Sequence, residues 1–160
     1  WRKSLTIGAG SREGAGRGML VLYNQQIVGR VIESGPWTSR GQVVTDPGFR
    51  AAAVADPRRG AGEVSFSDRH VGVYEGTAGQ NGLLKWLTGE TPVENGAFVL
   101  TTEDPANGVP KGLILGRVST VNSGRGAFPR VQVEPLLNFQ ALEHVTVLVP
   151  AEVPREEARR

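Results

Sequence analysis

Several patterns in this chain have the residue types for chemistry, and each lacks a part. Gly14-Ala15-Gly16-Arg17-Gly18 has the glycine density of a loop that wraps a phosphate in backbone N–H groups. Such a loop runs into Gly-Lys-Ser/Thr and opens a helix. Neither follows here, so it reads as a turn between strands. The two histidines, His70 and His144, would need more ligands to hold zinc, and the chain has no cysteine. His70 reads as a half-exposed sheet residue and His144 as a surface position. A serine nucleophile needs a base, an acid and backbone donors at set places. Ser123-Gly124 sits in a predicted hairpin loop without a Gly-Asp-Ser-Gly-Gly context. The acids Glu33, Asp46, Asp56, Glu75 and Glu134 are scattered singly, and solvated strand-end carboxylates are the commoner case. No residue is singled out as catalytic or metal-binding, and no cofactor is implied.

Binding is the remaining class. The net charge is +2, from 18 basic and 16 acidic residues, which is too balanced for a nucleic-acid partner. Three Trp, two Tyr and five Phe are too few for a stacking platform for single strands or sugars. Val71, Val73, Leu83, Leu84, Trp86 and Leu87 form the densest apolar group outside the repeat described next. Two readings are open for this group: core, or a strip partly exposed for a protein partner.

The elements that position these residues are short strands. Val109-Pro110-Lys111-Gly112 predicts a turn, with Pro110 setting one φ and Gly112 supplying a positive one. Leu113 to Val121 then alternates as a strand, and Gly116 within it marks a bend, bulge or close approach. Ile27-Val28-Gly29-Arg30-Val31-Ile32 repeats that pattern earlier. After each Gly-Arg-Val come a turn, a second alternating strand and a proline. Gly29 to Pro47 and Gly116 to Pro135 differ by one residue in length. Alternating runs between Gly, Pro and Asn clusters predict about twelve short strands in all. Leu136–His144 has room for one helical turn, and 151–160 reads as a disordered tail. With 22 Gly and 10 Pro in 160 residues, the fold class is all-β. Two similar hairpins among that many strands suggest two small barrels, whose closure removes exposed edges. No apolar run reaches the roughly 18 residues of a membrane helix, and no signal peptide is present. The absence of cysteine suits a cytosolic or an extracytoplasmic bacterial chain.

Trp1-Arg2-Lys3-Ser4-Leu5-Thr6-Ile7-Gly8-Ala9-Gly10-Ser11-Arg12-Glu13-Gly14 resembles the start of the extracytoplasmic domain of the MreC family, the rod shape-determining proteins. So do Gly18-Met19, Ile27 to Glu33 and Ser39 to Pro47. Gly72-Val73-Tyr74-Glu75-Gly76 is similar to the family's middle segment. Val109-Pro110-Lys111-Gly112 with Leu115-Gly116-Arg117-Val118 resembles its Phe-Pro-Lys-Gly…Val-Gly-Val stretch. Val133-Glu134-Pro135 and Leu142-Glu143-His144-Val145 resemble its last strand pair. The likeness runs from Trp1 to Val149, with departures at Thr101-Thr102-Glu103 and at Val109.

The resemblance implies two six-stranded β-barrels of trypsin-like architecture without catalytic residues. The first would hold 1–47 and 131–150, and the second, inserted, would hold 48–130. It implies a non-enzymatic scaffold of the cell-elongation and peptidoglycan-synthesis machinery. Its partners would be a class B penicillin-binding transpeptidase, the membrane protein MreD and, indirectly, the cytoskeletal MreB. Self-association as a dimer or filament is implied as well. The place would be the periplasmic face of the membrane, with an N-terminal transmembrane helix and coiled coil outside this sequence. Val71, Val73, Leu83, Leu84, Trp86 and Leu87 are the expected partner contacts. The alternatives are a trypsin-like hydrolase and a polysaccharide- or peptidoglycan-binding module, and neither has a motif behind it.

Overall fold

The structure, a computed structural model, describes residues 3–56, 70–88, 93–122 and 130–150. The strand expected at Glu63–Phe66, the Ser123-Gly124 loop and the tail 151–160 lie outside the described residues. Eleven strands are present: β1 (Ser4–Ile7), β2 (Leu20–Tyr23), β3 (Gln26–Ser34), β4 (Ser39–Val43), β5 (Arg50–Asp56), β6 (His70–Gly76), β7 (Gly82–Thr88), β8 (Phe98–Thr101), β9 (Ile114–Asn122), β10 (Arg130–Glu134) and β11 (Thr146–Leu148). The described helices are single 3-10 turns, one of them at Phe139–Ala141 where a helical turn was expected.

The repeated Gly-Arg-Val lies on β3 and β9, the two nine-residue strands. A Cβ on Gly29 would overlap the carbonyl oxygen of Gln42, and one on Gly116 that of Glu134. Each glycine thus lets the returning strand of its hairpin pass close by. The turn ahead of β9 is as predicted. Gly112 takes φ 87. Buried Thr101 holds that turn, because its hydroxyl donates to the Pro110 carbonyl at 2.7 Å and accepts from the Leu113 N–H at 3.0 Å.

Strands β5 to β10 close into a six-stranded antiparallel barrel, in the order β9-β10-β7-β6-β5-β8 and back to β9. The other five form an open antiparallel sheet, β1-β4-β3-β2-β11. The expectation of two closed barrels is therefore met in one unit only. Among the described residues the first unit stays open, because no strand bridges β1 and β11. Strand pairing also places Arg130–Glu134 in the closed barrel, between β9 and β7, although 131–150 was expected with the first unit.

One core runs through both units. Leu20, Ile27, Val43 and Val44 from the open sheet pack in one cluster with Tyr74, Leu84, Val99, Val131 and Val133 from the barrel. A smaller cluster of Ile7, Val21, Val28 and Val31 fills the hollow of the open sheet. The linker between the units is fixed by polar bonds as well as by packing. Asp46, 1% exposed, accepts from the Lys3 backbone N–H at 2.7 Å and from Gln42 Nε2 and the Gly48 N–H at 2.8 Å each. Three donors on one buried carboxylate are the arrangement that keeps it satisfied away from water. Asp46→Asn replaces one accepting oxygen with a donor facing other donors. We expect a loss of about 1.5 kcal/mol in urea unfolding, and an unchanged midpoint would show that the linker is not held there.

Candidate partner-binding face

The outer surface of β5, β6 and β7 is set by alternation and by one irregularity. On β6, Gly72, Tyr74 and Gly76 point into the barrel, which leaves Val71, Val73 and Glu75 outside. On β7, Gly82 and Leu84 point inward, and Leu83 and Lys85 outward. The pairings Arg50↔Glu75↔Leu83 and Ala52↔Val73↔Lys85 lay these outward residues in rows across three strands.

The β6–β7 register then shifts by one residue between Val73 and Val71. The extra residue is on β7, where Trp86 takes φ 59. A bulky residue in the left-handed region is a true outlier, and costs of order 1 kcal/mol. Its effect is geometric: the bulge turns Trp86 outward and returns Leu87 to the inside. Trp86 is 64% exposed, while Leu87 lies against the position of Gly72 and packs on the core.

The six apolar residues singled out in the sequence therefore divide. Val71 and Trp86 are exposed, Val73 and Leu83 are half-buried on the same outer face, and Leu87 is half-buried from within. Leu84 is fully buried, so it supports the face from beneath and does not line it. Charged groups share this face, Lys85 in the row of Val73 and Glu75 in the row of Leu83. Glu75 lies 3.3 Å from Lys85 Nζ and 3.6 Å from an Arg50 guanidinium nitrogen. Exposed apolar side chains next to ion-paired ones give the face both contact area and polar groups for a protein partner.

A second feature had no signal in the sequence. A groove of about 1110 Å³ opens between β1 and the 134–145 segment. It is the mouth of the unclosed sheet, and β1 pairs with β4 on one side only. In an antiparallel pair successive residues alternate in facing the partner strand. The Val43 N–H donates to the Lys3 carbonyl, so Ser4 and Thr6 turn their backbone groups toward the groove.

The remaining residues with chemical potential are spread apart. His144 is exposed, and the side chain of His70 lies outside the described groups. Glu33 pairs with Arg40 at 3.0 Å in solvent. In the glycine-rich loop the N–H groups of Gly14, Ala15 and Gly18 donate to the carbonyls of Ser11, Gly10 and Val31. They are consumed within the turn and by β3, and make no phosphate cradle. Among the described residues no three of His, Asp and Glu gather as a metal cluster. Among them, too, no helix is long and apolar enough to cross a membrane.

Comparison with known proteins decides the family. The sequence model of the rod shape-determining protein MreC, barrel core, matches residues 1–149. The chain belongs to the MreC family. Solved MreC structures share the fold at low identity. MreC from Listeria monocytogenes is 22% identical with a TM-score of 0.76, over 94% of this chain and 69% of that one. MreC from Pseudomonas aeruginosa is 21% identical with a TM-score of 0.69, over 92% and 89%. MreC from Helicobacter pylori, solved as a complex with the penicillin-binding protein PBP2, is 15% identical with a TM-score of 0.57, over 80% and 74%. No match is found among curated proteins.

Proposed function

We propose that this chain is a non-enzymatic scaffold of the cell-elongation machinery, and that its act is to bind a class B penicillin-binding transpeptidase outside the cytoplasmic membrane. Family membership supports the shape-determining role. The Helicobacter pylori MreC solved with PBP2 supports the choice of partner. On this chain the carrying observation is the outer face of β6 and β7, where Val71 and Trp86 stand exposed beside the ion-paired Glu75 and Lys85. Binding to MreD, an indirect link to MreB and self-association belong to the same reading. The open edge of β1 is suited to strand addition by a second copy. A membrane anchor preceding Trp1 would keep the domain at the periplasmic surface.

The test is retention of the purified chain on an immobilised class B transpeptidase. An active-site serine probe and insoluble cell wall are run in parallel. We expect retention by the transpeptidase and none by the other two. Labelling by the serine probe would favour a hydrolase. Retention on cell wall alone would favour a polysaccharide-binding module.

A further inference from the structure

Arg30 is the repeat's arginine on β3, and its side chain is half-buried. Its guanidinium reaches over the ring of buried Phe49, 5.6 Å from the centroid. There it enters a pocket of about 180 Å³ on the seam between the open sheet and the barrel. Arg50, Ala52, Val73, Asp104 and Asn107 are among the other walls. The Nε atom of Arg30 is buried and has no hydrogen-bond acceptor. A buried donor without an acceptor is costly, and a cationic one more so. Asp104 is near enough to favour the charged form, while burial pulls the Arg30 pKa down. One oxygen of the Asp104 carboxylate accepts from Asn107 Nδ2 at 2.7 Å. Arg50, on the other wall, is already paired with Glu75 at 3.6 Å, so Arg30 is the guanidinium left short of an acceptor. The pocket walls Ala52 and Val73 continue directly into the outer face of β5 and β6.

We propose that this pocket receives the carboxylate of an Asp or Glu side chain from the partner that lies along the β6–β7 face. The fit is chemical. A carboxylate offers the acceptors that Arg30 lacks, and a guanidinium can bind both of its oxygens at once. The fit is also positional. An acidic side chain seated here leaves its own backbone beside Val73, so neighbouring apolar residues of the partner fall on Val71, Leu83 and Trp86. The occupant is therefore one segment, acidic at one point and apolar next to it. The inference rests on the reading that this face binds the transpeptidase.

Calorimetry of the whole chain with the extracytoplasmic part of a class B transpeptidase tests it, at low and at high salt. Arg30→Met keeps the length of the side chain and removes its charge. It should weaken binding about tenfold and flatten the salt dependence. Asp104→Asn removes the competing negative charge and should tighten binding about threefold. Structural damage would weaken binding in both variants, so opposite signs support the pocket and a common loss overturns it. If Arg30→Met does not fold, the sign for Asp104→Asn decides alone. No change in either variant, with binding lost in Trp86→Gly, removes the pocket and leaves the face standing. No change in any of the three removes both.

Discussion

Tyr74→Ala lowers stability by about 4 kcal/mol, the scale for deleting a large aromatic side chain from a core. Tyr74 is fully buried at the contact between the units, with its ring edge-on to Phe49 at 6.1 Å between centroids. A Cβ on Gly82 of β7 would overlap the tyrosine ring, so barrel wall and ring are fitted to each other. The hydroxyl donates to the Val44 carbonyl at 3.1 Å, which ties β6 to the end of β4. Urea unfolding reads the loss, and a cost below about 1 kcal/mol would mean that the site collapses without a cavity. Tyr74→Phe keeps the ring and should cost about 1 kcal/mol, since only the hydrogen bond goes. The pH dependence has a definite sign. Burial holds the Tyr74 phenol far above its ordinary value of 10.0. The neutral form is favoured in the fold, so its share of stability is complete below the unfolded value. That share is lost as pH climbs above about 10, where only the unfolded chain gives up the proton. The melting point of the wild type should therefore fall more steeply above pH 10 than that of Tyr74→Phe. Parallel curves would place water at the phenol.

Trp86→Asp should weaken transpeptidase binding by about 2 kcal/mol, or roughly 30-fold, the size of a hot-spot truncation. A large exposed aromatic held outward by a bulge is already placed for its partner, so little ordering cost remains on binding. The companion variant Trp86→Gly separates structure from binding. Glycine takes φ near 59° freely, so the fold should hold or gain slightly while affinity falls. Undiminished binding in both variants would remove Trp86 from the interface.

The hairpins were legible in the sequence because their signals are local. Period-two alternation, Gly112 in the turn and the prolines at the ends each act within a few residues. Gly116 announced a bend, a bulge or a close approach, and the Glu134 carbonyl is what approaches, as the Gln42 carbonyl does at Gly29. Which strands close the barrel was not legible, because that depends on which distant strands pair. Nothing near Arg130–Glu134 says that it joins β7 as well as β9. The apolar cluster at 71–87 was visible as composition, but its division into core and surface needs the register. Leu83 and Leu84 are equivalent in sequence and opposite in space. Trp86 runs against local preference, since no pattern expects tryptophan at a left-handed bulge. Arg30 looked like an ordinary strand residue, and only the packing of one unit on the other shows where its guanidinium ends.

Hydrogen exchange of the chain, alone and saturated with a class B transpeptidase, tests the placement of the binding face most directly. Protection should appear in peptides from 70–88, with the amides of β1 and 134–145 unchanged. Protection confined to β1 and 134–145 would move the partner to the open groove and contradict the assignment of the β6–β7 face.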